Sequence, residues 1–276
     1  MRNVMLTACL VIVGAVIIAA VFAPLIAPYS PTKGELGESL APPFWSEGGT
    51  TRHLLGTDMF GRDVLSRILH GARVSLSISL IAIFISGVLG TLVGLVAGLY
   101  GGIVDTVLMR IVDIGLSMPL ILMAVLLAVV LGASLTTIIV VIGLLLWPRY
   151  ARQIRGEVLG LKEQDFVALA RTAGCSVWRI MFRHLLPNVV PTLLVLITLQ
   201  VGYVILLESS LSFLGVGVPP PEPAWGLMVA DGRGMIATAW WVALFPGLAI
   251  LLTVLALNHL GDIVRDRLDP KLRQVE

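Results

Sequence analysis

Long runs of apolar residues, with few polar positions inside them, dominate the pattern of this chain. A helix needs roughly 20 such residues to cross a bilayer core about 30 Å thick. Six runs approach that length, so the pattern predicts an all-α integral membrane protein with six transmembrane helices. The predicted spans are Val4–Phe22, Val74–Leu99, Ile114–Leu131, Ala133–Tyr150, Val189–Leu211 and Ala237–Leu257. Gly132 separates the third span from the fourth and predicts a tight helical hairpin.

The composition is that of a chain largely surrounded by lipid. Apolar residues make up 57% of it and charged residues 13%, and the mean hydropathy is +0.97. This charged fraction is about half of that in soluble domains. A net charge of +2 is too small to indicate a nucleic-acid partner. The four histidines and two cysteines are scattered, and their spacing predicts neither a metal site nor a catalytic site.

The positions of the basic residues predict how the chain is oriented. Cytoplasmic loops of membrane proteins carry an excess of Lys and Arg. With the N-terminus in the cytoplasm, 13 of the 19 basic residues fall in cytoplasmic segments, seven of them from Arg149 to Arg183. The segment 24–73 is then extracytoplasmic, and its five basic residues are balanced by five acidic ones. We therefore expect a multi-pass inner-membrane protein with both termini in the cytoplasm.

The first apolar run has a second interpretation, as a secretory signal peptide, because Arg2 precedes it and small residues lie near its end. The run is longer than the usual apolar core of about 7–15 residues in such peptides. Pro24 and Pro28 follow it in place of a small-residue cleavage site. These features favour a transmembrane helix.

Small residues repeat every four positions along the second predicted span, at Gly90, Gly94 and Gly98. Such a stripe lets a second helix approach closely. The stripe therefore predicts a helix–helix contact, and a role in lining a substrate path is the less favoured interpretation.

The basic segment 151–188 has the pattern of two short helices joined at a glycine. Acidic residues at 163–165 suit a helix N-terminus, and Gly174 is placed to end that helix. Ser176 is placed to cap a second helix, and Pro187 to stop it. One apolar stripe is predicted on each helix; the first comprises Phe166, Leu169, Ala170 and Ala173, and the second Val177, Ile180, Met181, His184 and Leu185.

Arg179 and Arg183 project away from the second stripe. A pair of helices with an apolar stripe and exposed arginines suits a groove of a soluble partner. The same pattern also suits an amphipathic hairpin that lies on lipid headgroups. Periodicity alone leaves both interpretations open.

One motif in this segment resembles a loop of permease subunits in bacterial ABC importers. It consists of Ala168-Leu169-Ala170-Arg171-Thr172-Ala173-Gly174, followed by Ile180 and by Leu186-Pro187. The family pattern has Glu-Ala-Ala, three residues and Gly, then a hydrophobic residue and Leu-Pro. This chain has Ala168 at the usual glutamate and Leu169 at the usual alanine. The resemblance implies that the segment couples the permease to an ATPase subunit, through Phe166, Leu169, Ala170, Ala173, Gly174, Arg179, Ile180, Arg183, Leu186 and Pro187.

Three further motifs are similar to the C-type permeases of dipeptide and oligopeptide importers. They are Leu55-Gly56-Thr57-Asp58 with 61–67 and 71–76, Leu207–Gly215 with Pro220-Pro221 and 224–226, and Gly261-Asp262 with 265–273. The resemblance implies the architecture of a type I ABC importer permease. Its parts are an N-terminal helix at 1–23, an extracytoplasmic segment at 24–73, a five-helix core at 74–260 with the coupling loop at 151–188, and a cytoplasmic tail at 261–276.

The chain has no energy source of its own in its sequence. A phosphate-binding loop needs Lys and Ser or Thr after a glycine-rich turn, and Lys33, Lys162 and Lys271 lie in no such context. The resemblance implies a second, non-identical permease, two ATPase subunits that bind ATP and Mg²⁺, and an extracytoplasmic substrate-binding protein. No cofactor is expected on this chain. Peptides are the implied cargo, and related permeases serve nickel or glutathione importers.

Polar residues in the spans bear on the competing class of ion-driven carriers. Such carriers need ionisable groups at membrane depth, and few are present here. Gln200, Tyr203 and Glu208 are the predicted substrate-pathway residues, with hydrogen bonding between helices as the alternative. A third class, a non-transporting scaffold or receptor, would not require a coupling loop.

Charged and aromatic residues outside the spans carry two smaller predictions. Alternating charges are expected to form an ion-pair network that holds the extracytoplasmic segment in place; they are Asp58, Arg62, Asp63, Arg67 and Arg73. Trp225, Trp240 and Trp241 are expected to form an aromatic belt at the membrane interface.

Overall fold

The computed structural model describes residues 2–268. Its helices are α1 (Arg2–Ile26), α2 (Val64–Tyr100), α3 (Gly102–Ser117), α4 (Leu120–Leu131), α5 (Leu135–Leu161), α6 (Asp165–Thr172), α7 (Val177–Arg179), α8 (Leu186–Phe213), α9 (Trp225–Gly232) and α10 (Trp241–Leu268). A π-helical turn joins α7 to α8 at Ile180–Leu185. Short 3₁₀ turns lie at Leu36–Glu38 and Arg233–Met235. The part of the tail motif beyond Leu268 lies outside the described residues.

Five helical runs are long and apolar enough to cross a membrane, which confirms five of the six predicted spans in outline. The runs are Val4–Ile26, Val64–Tyr100, Leu135–Leu161, Val177–Phe213 and Trp241–Asp266. Most extend past the predicted bounds, because polar residues continue a helix as readily as apolar ones once it leaves the lipid. Apolar length therefore predicted where the spans lie but not where the helices end.

The third predicted span, Ile114–Leu131, is not one continuous helix. α3 and α4 meet at an angle of 88° and together make the sixth candidate span. The chain breaks at Met118, whose backbone is extended with φ −82° and ψ 135°, because the ring of Pro119 excludes the residue before it from the helical region. The predicted hairpin turn at Gly132 is confirmed, with a φ of +84°.

The described chain forms two compact units. The first contains residues up to Leu80 together with Val125–Ile139 and Val201–Leu260. The second contains Ile81–Ala124, Val140–Gln200 and the described residues from Gly261 onward. The first unit holds α1, α9 and the segment 27–63, which we call the α1–α2 segment. The second holds α3, α6, α7 and the π turn.

Close packing of α2 on α5 organises the second unit, as the glycine stripe predicts. A Cβ atom on Gly94 would lie 2.7 Å from the carbonyl oxygen of Ala151 and 2.9 Å from Cβ of Ile154. Gly90 and Gly98 meet the same helix in the same way. Without side chains at these positions the two backbones touch, and dispersion contacts replace those with lipid.

Gly94→Ala tests this contact. Alanine favours a helix over glycine by about 1 kcal/mol, but overpacking at a tight contact costs about 1–3 kcal/mol. We expect a net loss of thermal stability for the purified chain in detergent. Gly156→Ala on α5 is the matched control, because a Cβ atom there meets open space, and we expect its melting temperature to equal or exceed that of the wild type. A stable Gly94→Ala variant would contradict this account of the packing.

Candidate functional site

Gly174 ends α6 as predicted, in a Schellman motif. The N–H of Gly174 donates to the carbonyl of Arg171 at 3.0 Å, and the N–H of Cys175 donates to that of Ala170 at 3.0 Å. Gly174 has a φ of +74°, in the left-handed region that glycine adopts without a steric penalty. The next residue but one, Ser176, caps α7 by accepting from the N–H of Arg179 at 3.4 Å, which confirms the second predicted cap.

Pro187 does not stop the second helix, so that prediction is wrong. The π turn passes directly into α8, and the N–H of Leu186 donates to the carbonyl of Met181. Pro187 lies just after the π turn, and the wider π geometry before it accommodates the missing N–H and the proline ring inside a helix. The backbone is therefore helical from Val177 to Phe213. We call residues 165–189, which comprise α6, its glycine turn and the path into α8, the elbow.

One face of the elbow is packed against α2 and α5. Val167 and Ala170 of α6 are buried, as are three residues of the π turn. They join a single apolar cluster; its buried members are Leu95, Ile154, Val158, Val167, Ala170, Ile180, Met181, Leu185 and Val189, with Phe166, Cys175 and Leu186 partly buried against it. The cluster fixes the elbow to the two helices that the glycine stripe brings together.

The residues of the predicted stripe on α6 are divided between the packed face and the exposed face of the elbow. Leu169 is 67% exposed and Ala173 is also exposed, whereas Val167, outside the predicted stripe, is completely buried. On the second helix Val177 is exposed too. The inward face of α6 is formed by Phe166, Val167 and Ala170, because these residues contact the apolar cluster beneath the helix. The apolar periodicity of an eight-residue helix does not determine which face turns inward.

The opposite face of the elbow is exposed and carries basic and aromatic side chains. Arg179 and Arg183 are exposed there, as predicted, and Arg171 of α6 is exposed too. Trp178 and Phe182, which the sequence analysis missed, stack there with ring centroids 6.0 Å apart and planes 7° from parallel. Their spacing of four residues was the available signal. Ala168, which occupies the glutamate position of the family pattern given in the sequence analysis, is exposed as well.

Ion pairs tie α5 to α3 beside the elbow. Arg155 contacts Asp105 through two nitrogens, at 2.9 and 2.6 Å, and Arg152 pairs with Asp113. Two-point contacts of this kind set geometry as well as energy. Asp105 and Asp113 are therefore held in local ion pairs and are not free ionisable groups.

In the first unit, the predicted ion-pair network is present around the start of α2. Asp58 pairs with Arg62 at 2.7 Å and with Arg67 at 3.6 Å, and it accepts from two backbone N–H groups. Arg62 also lies 3.8 Å from Asp231 on α9. Burial raises the pKa of Asp231, against the opposing effect of Arg67 and Arg62. Arg73 is exposed.

Two of the three predicted belt tryptophans are internal instead, so that prediction is wrong for them. The ring nitrogen of Trp225 donates to the carbonyl of Ile68 at 2.9 Å, and that of Trp241 donates to the carbonyl of Thr57 at 3.0 Å. Both side chains are buried, and Trp240 is partly exposed. Trp225 packs where Gly71 has no side chain. The indoles therefore hold the α1–α2 segment and the start of α2 in place.

The three predicted pathway residues have different surroundings. Glu208 is completely buried, and its carboxylate accepts from Ser212 at 2.7 Å and from Ser75 at 3.5 Å. In this conformation Glu208 joins α8 to α2 within the first unit. Gln200 and Tyr203 are half-buried, and their role in a pathway stays a prediction.

Lipid-length helices that carry a packed elbow define the class of this protein, a polytopic membrane permease. Residues 90–274 match the family described as the inner membrane component of binding-protein-dependent transport systems. Residues 1–43 match the N-terminal transmembrane domain of oligopeptide transport permease C. The chain belongs to this family of transport permeases of the inner membrane.

Relatives in other bacteria match nearly the whole chain. The di/tripeptide transport system permease DppC of Pseudomonas aeruginosa is 44% identical over 94% of this chain and 85% of its own length. The dipeptide transport system permease DppC of Escherichia coli K12 is 45% identical over 96% of this chain and 88% of its own. The permease resemblance drawn from the motifs is thereby confirmed.

The fold also matches a solved transporter. A chain of the inward-facing MetNI methionine ABC transporter superposes with a TM-score of 0.61 at 21% identity, over 73% of this chain and 96% of that one. The likeness confirms the predicted type I ABC permease fold.

Removing the charge of Asp58 tests the network at the start of α2. Asp58→Asn keeps the shape of the side chain but removes the nearest counter-ion of the buried Arg62 and Arg67, and breaking a buried pair in this way costs about 3–5 kcal/mol. We expect thermal unfolding of the purified chain at a clearly lower temperature. Glu47→Gln, an exposed carboxylate of the same segment, is the matched control and should change stability by about 0.5 kcal/mol or less. Equal melting temperatures would contradict the network's stabilising role.

Proposed function

We propose that this chain is one of two non-identical permease subunits of an ATP-driven importer of dipeptides and oligopeptides, and that its elbow docks on an ATP-binding partner. The names of the two relatives support a peptide cargo. A nickel or glutathione importer is the alternative within the same group of permeases. In either case the ATP and Mg²⁺ that power transport bind to two partner subunits, this chain binds no cofactor, and an extracytoplasmic binding protein delivers the substrate.

The division of the elbow into two faces is the observation that carries the proposal. Its inner face is already occupied by the cluster on α2 and α5, so only the outer face is available to another subunit. That face offers apolar and aromatic area beside cations, a composition typical of docking surfaces. Leu169, Ala173, Trp178, Arg179, Phe182 and Arg183 would contact the ATPase, whereas Phe166, Ala170, Gly174, Ile180, Leu186 and Pro187 would give the elbow its shape.

A continuous helical path connects this face with the membrane. Because the backbone is helical from Val177 to Phe213, a displacement of the elbow would move the adjoining part of α8 with it. Closure of the ATPase subunits would thereby bias the permease between outward-open and inward-open states, and release would reverse the change. Gln200 and Tyr203, further along the same helical run, are the residues we propose for the pathway.

An apolar cleft in the second unit is the surface that we propose for the second permease subunit or for lipid. It has a volume of about 320 Å³ and lies between α2 and α8. Phe84 is 70% exposed at its edge. An exposed apolar surface of this kind marks a contact with another subunit or with the bilayer.

Leu169→Glu tests docking without disturbing the packed face. A charge placed in a desolvated contact is costly, so we expect the complex to lose its ATPase subunits on purification and peptide uptake to fall by about tenfold or more, equivalent to about 1.4 kcal/mol. Leu36→Glu, another exposed leucine, serves as the control and should retain the ATPase.

Two outcomes would favour the competing classes. Uptake that ceases when the proton gradient is collapsed, with ATP present, would indicate an ion-driven carrier. Full uptake after Gly174→Val, which strains the left-handed turn, would indicate that the elbow has no part in coupling.

Competition of labelled dipeptide uptake by nickel or glutathione would identify the alternative cargo.

The distribution of basic residues supports an orientation with the elbow and both termini in the cytoplasm and the α1–α2 segment outside. Leu36→Cys and Glu163→Cys, each in a chain whose Cys9 and Cys175 are replaced by serine, test it in intact cells with a membrane-impermeant maleimide. Both positions are exposed and lie outside the proposed ATPase contact, so we expect label at position 36 before permeabilisation and at position 163 only afterwards. The reverse pattern would overturn the proposed orientation.

A further inference from the structure

His53 lies between two carboxylates in the α1–α2 segment. Its Nδ1 is 2.9 Å from Oδ1 of Asp63, and its Nε2 is 2.9 Å from Oε2 of Glu38. The residue is only 6% exposed. The ring of Tyr29 lies against it, with centroids 4.7 Å apart. We call His53 with Glu38 and Asp63 the His53 clasp.

Both carboxylates are already acceptors through their other oxygens. Oδ2 of Asp63 accepts from the N–H and the hydroxyl of Ser66, each at 2.7 Å, and Oε1 of Glu38 accepts from Arg52 at 2.7 Å. An ionised carboxylate only accepts, so each ring nitrogen must donate. A neutral imidazole donates from one nitrogen only. The geometry therefore requires a doubly protonated ring at His53.

The surrounding charges agree with an imidazolium at this position. Arg52 pairs with Glu38 on the side away from His53. The ion pairs of Asp58 with Arg62 and Arg67 lie next to the clasp, around the start of α2. The whole group contains four carboxylates and three guanidinium groups; these are Glu38, Asp58, Asp63 and Asp231, and Arg52, Arg62 and Arg67. The imidazolium supplies the fourth positive charge. Burial by itself lowers the pKa of His53, but the hydrogen bonds to Asp63 and Glu38 outweigh it and hold that pKa above its usual value.

The clasp joins two elements that are far apart in the sequence. Glu38 ends the 3₁₀ turn at Leu36–Glu38, and Asp63 caps the first turn of α2 through Ser66. Loss of one proton would turn the lone pair of a ring nitrogen towards a carboxylate in a site with little water. One attraction would become a repulsion, and the turn would be held less firmly on α2.

We propose that His53 is a proton-binding site whose occupancy holds the α1–α2 segment on the start of α2, so that substrate uptake falls as the pH outside the membrane rises. The stabilisation is complete below the ordinary histidine pKa of about 6.5 and is lost as the pH rises through the higher value in the folded protein. The dependence of uptake rests on the function and orientation proposed above, whereas the proton site itself does not.

Thermal unfolding of the full chain in nanodiscs, from about pH 5 to about pH 9, tests the site directly. We expect the wild type to be more stable than His53→Gln at low pH and the difference to vanish at high pH. Glu38→Gln removes one carboxylate and leaves the helix cap intact, so the midpoint should move down by about one pH unit. His70→Gln is the matched control, because the ring of His70 bonds only the carbonyl of Ser66 among described residues. Its profile should run parallel to that of the wild type.

Uptake by the reconstituted complex, with ATP enclosed and only the outer pH varied, is the second measurement. We expect wild-type uptake to fall across the same pH range and His53→Gln to lose that dependence. Parallel unfolding profiles for wild type and His53→Gln, an unmoved midpoint in Glu38→Gln, or identical pH profiles of uptake would each overturn the proposal. Absence of ATP-driven uptake at every pH would instead refute the proposed function, and the unfolding profiles would still decide whether His53 is the proton site.

Discussion

The close approach of α2 and α5 is the contact on which the rest of the second unit depends. In lipid, helices gain nothing from hiding apolar side chains, and association relies on packing and on hydrogen bonds. Gly90, Gly94 and Gly98 bring the two backbones together, and the same pair of helices presents Leu95, Ile154 and Val158 to the elbow. The proposed docking site for an ATPase is thus built on a glycine-mediated helix contact, and a loose fit there would leave the elbow without support.

Charge is handled differently in the two units. Around the elbow, the basic residues of the outer face stay in solvent and are available to a partner. Around the start of α2, Asp58, Arg62, Asp63 and Arg67 are buried, and each pairs with a neighbour of opposite sign, since an unpaired buried charge would be costly. The exposed basic residues of the elbow suit recognition of a partner, whereas the buried ion pairs suit holding the α1–α2 segment in place. His53 is the one member of the buried group whose charge changes near neutral pH.

These features bear on how such a permease transmits force. The Schellman turn at Gly174 sets a fixed angle between α6 and the helical path into α8, and the cluster beneath prevents the elbow from swinging independently. A partner that displaces the outer face must therefore displace helices in the membrane. The family supplies the general role, a permease component of a binding-protein-dependent system, and the residues of the elbow supply a physical route for coupling.

Much of this architecture follows from the sequence by itself. Apolar run length located five spans, and local turn chemistry located Gly132, Gly174 and Ser176, because each depends only on residues close in the chain. The four motifs identified the family. The alternating charges also indicated the network around Asp58, although not its partners His53, Glu38 and Asp231, which are distant in sequence or lie outside the alternation.

Other features were decided only by the tertiary structure. The face of α6 that turns inward depends on the cluster beneath it, so Val167 is buried although it lies outside the predicted stripe. The passage of the helix through Pro187 depends on a π turn that removes the conflict with the ring. Trp225 and Trp241 lie inside because distant carbonyls, of Ile68 and Thr57, accept their N–H groups. In each case the deciding contact joins residues that no local pattern brings together.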